Sequence, residues 1–489
     1  MKLIVVSNRV ARAAANEPMT GGLAAALLPV VEKSGAIWVG SSGRVRDGAH
    51  KDPFAEVEAL GTGALAMVDL PSAHYAGYYE GFANSALWPA LHSRLDLVRV
   101  TQDDYQSYRE VNAFMARALL RFRKPDAAFW VQDYHFLALG AELRDLGVTE
   151  PIGFFLHTPW PAATIMSGVP HHRELIEAML AYDLLGFQTE DDLDNFIGYV
   201  GTELGLDVTG RAITSSNGTT RCGVFPIGID VDKFAQQAAK AASHPDVSRL
   251  RKSLNGEKLI IGVDRLDYSK GLVNRVTAFD KMLTSHPAML RAVSLLQIAT
   301  PSRGTIEAYG TLQSELARLV SDVNGRHGEV DWTPIRYLNK GFNQTVLAGL
   351  YRTAQVGLVT PMQDGMNLVA KEYVAAQNPG DPGVLVLSKF AGAADELDTA
   401  LQVNPHDVEG MARALATALS MPLIERRMRW EAMMEKLRTG SIHNWFADFL
   451  AALQSSHAVN EQAGRAIEVV DPDLWPVRSI GGHDIIRYH

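Results

Sequence analysis

In "LIIGVDRLDYSKGL" (259–272) an apolar run ends at Asp264, and Arg265 and Lys270 follow before a helical pattern begins. A third cation, Arg303, closes "SLLQIATPSRG" (294–304). Three cations after separate apolar runs are a poor solvated face, and together they describe a pocket for phosphate groups. "VGLVTPMQDGMNLVAKEYVAA" (356–376) ends its apolar run at Asp364-Gly365-Met366-Asn367 and then turns helical. A helix N-terminus near Asn367-Leu368 would add N–H donors to that pocket. Glu372 lies about one turn further, where a carboxylate can take the two hydroxyls of a ribose diol. The 15 histidines are scattered, and the adjacent His171 and His172 would point about 100° apart on a helix. No metal site emerges, so the counter-charge for a diphosphate leaving group falls to Arg265 and Lys270.

The first half of the chain carries a second set of polar run ends. "SNR" gives Arg9, "TGGLAAAL" gives Gly21 and Gly22 before a helix, "VQDYH" gives Asp133, and "FFLHTPWP" gives His157. A glycine pair opening a helix lets backbone N–H groups approach an anion or a sugar, although a plain strand–helix turn explains it as well. Asp133 is equally readable as a helix cap. His157, with its apolar flank, is also readable as a core histidine; Pro159 and Pro161 fix the loop after it, so an imidazole facing a ligand there would be held in one place. "YYEGFANSALWPALH" (78–92) offers the flat faces of Tyr79 and Trp88 for stacking on a sugar ring, with a satellite apolar cluster as the alternative.

These residues need elements to carry them. Apolar runs recur at 3–8, 36–41, 127–133, 152–157, 184–189 and 222–228, and again at 259–264, 294–299, 356–361 and 383–388. They are apolar throughout rather than alternating, which suits parallel strands covered on both faces. Amphipathic helical stretches lie between them, for example 108–122, 173–183, 275–283 and 305–323. Alternation of this kind predicts an α/β fold. A polar break at 228–258 divides the runs, giving two doubly wound halves with a cleft between them. Ligands in such sheets sit at the carboxyl ends of strands, where the residues above fall. We place domain boundaries at 1–235 and 236–452, with a tail, 453–489, that leaves the pattern from about residue 456 and returns to the first domain.

Composition narrows the function class. Apolar residues make up 47% of the 489 and charged residues 21%, as in soluble enzymes. The net charge of −9 argues against nucleic-acid or anionic-membrane partners. The single cysteine, Cys222, forms no internal disulfide, and "MKLIVVSNRV" is too short an apolar run for a signal peptide. No run is long enough to span a bilayer. We expect a cytoplasmic protein, with no cofactor, that forms a homo-oligomer.

The segments "SNR", "GGLA", "LWP", "QDYH", "FFLH", "DLLGFQT", "RLDYSKGL", "PSRG", "DGMNLVAKEYVAAQ" and "GVLVLS" occur in this order from Met1 to about residue 453. In this the chain resembles glycosyltransferase family 20. The resemblance implies two Rossmann-like domains facing across a cleft, the GT-B type. It implies a retaining, metal-independent transfer of glucose from a nucleoside-diphosphate-glucose, UDP-glucose foremost, to glucose 6-phosphate, giving α,α-trehalose 6-phosphate. By that resemblance Arg9, Tyr79, Trp88, Asp133 and Arg303 hold the acceptor. Gly22, Arg265, Lys270, Asp364, Met366, Asn367, Leu368, Val369 and Glu372 hold the donor, and Asp133, His157, Arg265, Lys270 and Asp364 surround the reacting centre. Gln363 departs from the family, which often has arginine there; Trp160 replaces a common phenylalanine, and the match at 339–344 is loose.

Overall fold

The computed structural model describes residues 2–10, 22–48, 53, 55–304 and 306–462. Two sheets organise them. The first contains β1 (Lys2–Arg9), β2 (Ile37–Arg46), β3 (Ala55–Leu60), β4 (Gly63–Pro71), β5 (Ala127–Gln132), β6 (Ile152–Phe155), β7 (Leu184–Phe187), β8 (Val208–Thr209), β9 (Ala212–Ser215) and β10 (Gly218–Val224). Its order is β3-β4-β2-β1-β5-β6-β7-β10-β9-β8. From β4 to β10 neighbours are parallel, and antiparallel β3 and β9 flank them. Every residue of β5, β6 and β7 is buried, which is why their sequences do not alternate.

The second sheet contains β11 (Lys258–Arg265), β12 (Val293–Thr300), β13 (Ile335–Leu338), β14 (Val356–Val359), β15 (Val384–Ser388) and β16 (Leu401–Val403). It is parallel throughout in the order β13-β12-β11-β14-β15-β16. The chain winds outward from β11 in one direction, then crosses to β14 and winds outward in the other. The loops leaving β11 and β14 therefore part and leave a crevice. The first sheet has the same reversal between β1 and β5. Arg9, Asp133, Arg265 and Asp364 all lie at or just beyond the carboxyl ends of these four strands.

The stretch 78–92 is helical, running from Ala76 to Leu91. The chain enters the second half near Asp230. Helix Val231–Ala241 already packs with helices Gln344–Thr353 and Leu368–Ala376, slightly ahead of the 235/236 boundary that composition suggests. The terminal helical pattern also runs further than the sequence reading, as one helix from Ile442 to Gln462. That helix crosses back to the first sheet. Its Phe449 stacks on Trp130 at 4.6 Å between ring centres, with Trp445 at 4.7 Å from the same indole. Gly153 and Gly186 make the groove: a Cβ on either would come within 2.9 Å of the Phe449 ring. Asn460 donates to the buried Asp183 at 2.8 Å. Residues beyond 462, and Gly21 of the glycine pair, lie outside the described residues. No helix among the described residues is long and apolar enough to cross a membrane.

Candidate active site

The two crevices face each other and touch. Trp88, only 5% exposed, belongs to the first half. The Arg303 guanidinium lies over its ring at 3.9 Å and that of Arg265 at 5.1 Å, both from the second half. Stacking keeps a planar cation charged without committing all its N–H donors. Arg303 also donates to Tyr134 Oη across the cleft at 3.0 Å, to Tyr309 Oη at 2.7 Å and to Asp267 Oδ2 at 3.3 Å. Burial opposes its charge, but Tyr134, Tyr309 and Asp267 outweigh burial and raise its pKa. Asp267 is buried too, yet Arg303, Arg265 and Lys270 pull its carboxyl down to about 2.

Lys270 and Asp364 meet directly, Nζ to Oδ2 at 2.5 Å. They come from the two sides of the β11/β14 reversal. Burial pushes the Asp364 carboxyl up, but the ion pair and the Asn367 amide, donating at 2.9 Å, bring it below its usual range. Asn367 caps helix Leu368–Ala376, its Oδ1 accepting from Ala370 N at 3.3 Å. Met366 is buried and its carbonyl accepts from Ala393 N at 2.8 Å. Leu368 and Val369 form the first turn. One turn on, burial raises the Glu372 carboxyl to about 7.

On the first-half side, Asp133 accepts from the backbone N–H of His157 at 3.3 Å, and burial raises its carboxyl to about 6. His157 donates through Nε2 to Gln132 Oε1 at 2.9 Å, and burial lowers its pKa to about 3, so the ring is neutral. Tyr79 stacks on His135 at 5.9 Å and on Tyr75 at 5.6 Å. Arg9 stands at the rim: a Cβ on Gly43 would lie 2.8 Å from its guanidinium. Gly22 begins helix Gly22–Ser34 after β1. Arg9 thus ends β1 and Gly22 follows it on the first-half side, and neither has a described contact with the Arg265–Arg303–Trp88 cluster. Backbone conformation marks the same place. Asp133 (φ 74°), Arg303 (φ 46°) and Asn367 (φ 79°) are left-handed non-glycine residues, a form of strain that packing must hold.

Sequence reasoning passed over His92, Asp267 and Arg275. His92 Nδ1 donates to the Trp88 carbonyl at 2.8 Å, its ring packs on that indole at 4.1 Å, and burial lowers its pKa to about 4. Its place four residues after Trp88 on a helical stretch was the available signal. Asp267 lies inside the "RLDYSKG" motif, between the two cations it serves. Arg275 is fully buried and ties Asp264 (2.7 Å), Gln297 (3.2 Å) and Thr360 (3.1 Å) under the site. Only the fold shows that this cation braces strands instead of facing the crevice.

Two Rossmann-like sheets with ligand-accepting switch points opposed across a cleft define a GT-B glycosyltransferase. The model of glycosyltransferase family 20 matches residues 2–455, and the chain belongs to that family. The trehalose-6-phosphate synthase of Sinorhizobium fredii (strain NBRC 101917 / NGR234) is 45% identical over 458 residues, covering 93% of this chain and 98% of that one. Among solved structures, an α,α-trehalose-phosphate synthase (UDP-forming) from Burkholderia xenovorans, in complex with glucose-6-phosphate, superposes with a TM-score of 0.90. It is 45% identical and covers 93% of this chain and 100% of its own. An E. coli protein bound with UDP-2-fluoro glucose superposes at 0.86 with 40% identity, covering 93% and 99%.

Proposed function

We propose that this protein moves glucose from UDP-glucose to glucose 6-phosphate, releasing UDP and forming α,α-trehalose 6-phosphate with retention at the transferred carbon. The observation that carries the reading is the meeting of Arg265 and Arg303 with Trp88 and Tyr134 of the opposite half, beside the Lys270–Asp364 pair. This meeting sets the cations of one half against aromatic groups of the other; the faces of Trp88 and Tyr79 carry Arg303, His92, His135 and Tyr75, so these rings border a sugar by their edges instead of stacking on it as the sequence suggested. Relatives of 40–45% identity over most of the chain support it.

In this reading the donor glucose lies against Asp364 and His157, with its diphosphate on Arg265, Lys270 and the N–H groups of Leu368 and Val369. Glu372 takes the ribose hydroxyls. The acceptor phosphate lies between Arg9 and Arg303, and Tyr79 and Trp88 flank its sugar. The bond from the donor anomeric carbon to the phosphate oxygen breaks as the acceptor hydroxyl oxygen bonds to the same face. The acceptor proton passes to the leaving phosphate oxygen, so UDP departs with it. Asp133 orients the acceptor hydroxyls and forms no covalent bond. The side chains supply alignment and a fixed field for the developing diphosphate charge, both large contributions to rate. Excluding water from the closed cleft suppresses donor hydrolysis.

Product analysis with UDP-, ADP- and GDP-glucose, each with glucose 6-phosphate, tests the reading. A phosphorylated non-reducing disaccharide should form fastest with UDP-glucose. Free glucose as the main product, or preference for glycerol 3-phosphate as acceptor, would overturn it.

A further inference from the structure

One fully buried cation beside the site has no part in this chemistry. Lys371 Nζ donates to both carboxylate oxygens of Glu396, at 2.8 and 2.9 Å, and to the Ile227 carbonyl at 2.8 Å. Ile227 lies in the segment that joins the two halves. Its own N–H donates to Gln188 Oε1 of the first half at 3.0 Å. Gln188 and Lys371 therefore grip one peptide residue from opposite sides, Gln188 from the first half and Lys371 from the second. The joint around it has no slack: a Cβ on Gly228 would overlap the Gly440 carbonyl oxygen at 1.9 Å, where the chain crosses back. Ile442 N also donates to Ile229 O at 3.3 Å.

The other end of this linkage is the donor side. Lys371 sits on helix Leu368–Ala376, whose cap Asn367 bonds Asp364, which in turn pairs with Lys270. Glu396 ends the short helix Ala393–Glu396, whose first N–H bonds the Met366 carbonyl. Apolar packing at this position would serve stability as well as a buried ion pair does. Only a directional cation, however, fixes the helix to one carbonyl of the joint. We propose that Lys371 is a positioning residue that couples the interdomain joint to the donor-binding helix, setting Leu368, Val369 and Glu372 against the nucleotide as the halves close. This inference rests on the functional reading above.

Lys371→Met cuts the link, and Lys371→Met/Glu396→Gln also removes the stranded carboxylate. The readouts are melting temperature, UDP affinity by isothermal titration, and separate KM values for UDP-glucose and glucose 6-phosphate. The double variant should regain most of the melting temperature lost by the single one. Its UDP Kd and UDP-glucose KM should stay raised roughly tenfold, as expected for a coupling energy of ordinary size. Its KM for glucose 6-phosphate should change less than about twofold, a difference too small to matter on that scale. A double variant that regains both stability and donor affinity makes Lys371 a structural prop and overturns the inference. If neither variant folds, Gln188→Leu cuts the link from the first half and should raise the UDP-glucose KM at least about fivefold; an unchanged KM overturns the inference. A wild-type protein that binds no UDP removes the functional reading and this inference together. Wild-type binding with unaltered variants removes this inference alone.

Discussion

At the scale of single residues, the site is built from charges whose burial is offset by partners. Lys270 and Asp364 hold each other beside the proposed leaving group. Lys270→Ala strands the Asp364 carboxylate and removes the nearest cation, so kcat should fall by about 10²–10³, as for loss of a preorganised donor. Steady-state kinetics on folded protein checks this, and near-normal turnover would remove Lys270 from the clamp. Asp133 makes the opposite kind of prediction. Burial holds its carboxyl at about 6, above the unfolded value of about 3.9. The native state therefore keeps this proton longer than the unfolded state, and the group subtracts stability as pH rises through that window. Asp133→Asn should stabilise the protein by about 1–2 kcal/mol at pH 7.5, discounted for partial access to solvent, while abolishing most turnover. The gain should vanish near pH 4, where the wild-type carboxyl is protonated. Melts at both pH values decide it: an equal gain at each would mean that charge burial is not the cause.

At the scale of elements, two helices do most of the positioning. Helix Leu368–Ala376 starts from a left-handed asparagine whose amide reaches both its own third N–H and Asp364, so the turn that orients the donors also orients the acid. Helix Ile442–Gln462 seats Phe449 in a groove that Gly153 and Gly186 leave open. Phe449 is fully buried against Trp130, Phe155 and Phe225. Its truncation to alanine should cost about 3–5 kcal/mol, since the packed surroundings of a buried ring relax only partly into the cavity it leaves. Urea unfolding followed by tryptophan fluorescence, which Trp130 and Trp445 report, measures this. A loss below about 1 kcal/mol would mean the helix is held elsewhere, chiefly through Asp183 and Asn460.

At the scale of the whole molecule, the described structure has its halves in contact, and glycine permits the closest approach. A Cβ on Gly365 would fall 2.1 Å from the His157 carbonyl oxygen across the cleft. Relief requires the halves to separate, because both partners are backbone. Gly365→Ala should leave each half folded, enlarge the radius of gyration in small-angle scattering with substrates present, and lower kcat/KM at least about a hundredfold through lost alignment. Wild-type scattering and turnover in this variant would show that the contact is relieved locally and that Gly365 is not needed for closure. A buried apolar cluster runs from β1 and β5 through helix Val231–Ala241 to β11 and β14, so closure rests on a continuous core as well as on polar contacts.

Local patterning was enough to read the class of fold. Continuous apolar runs with helical intervals mean parallel strands, and the residues closing those runs must lie at carboxyl ends. That reasoning reached Arg265, Lys270, Arg303, Asp133, His157 and Asp364, because strand-end position is a property of adjacent sequence. It did not reach contacts between segments far apart in the chain. Lys270 with Asp364, Arg303 over Trp88, and Lys371 on the Ile227 carbonyl each join residues separated by scores to hundreds of positions. No periodicity encodes such pairings. Nor did charge alone distinguish Arg275, which braces the second sheet, from Arg265, which faces the cleft. By itself the sequence determined which side chains stand at strand ends, since alternation and helix period are local. Which of them meet, which are neutralised and which remain for a ligand was decided by tertiary structure, because burial and Coulomb interaction depend on distance in space.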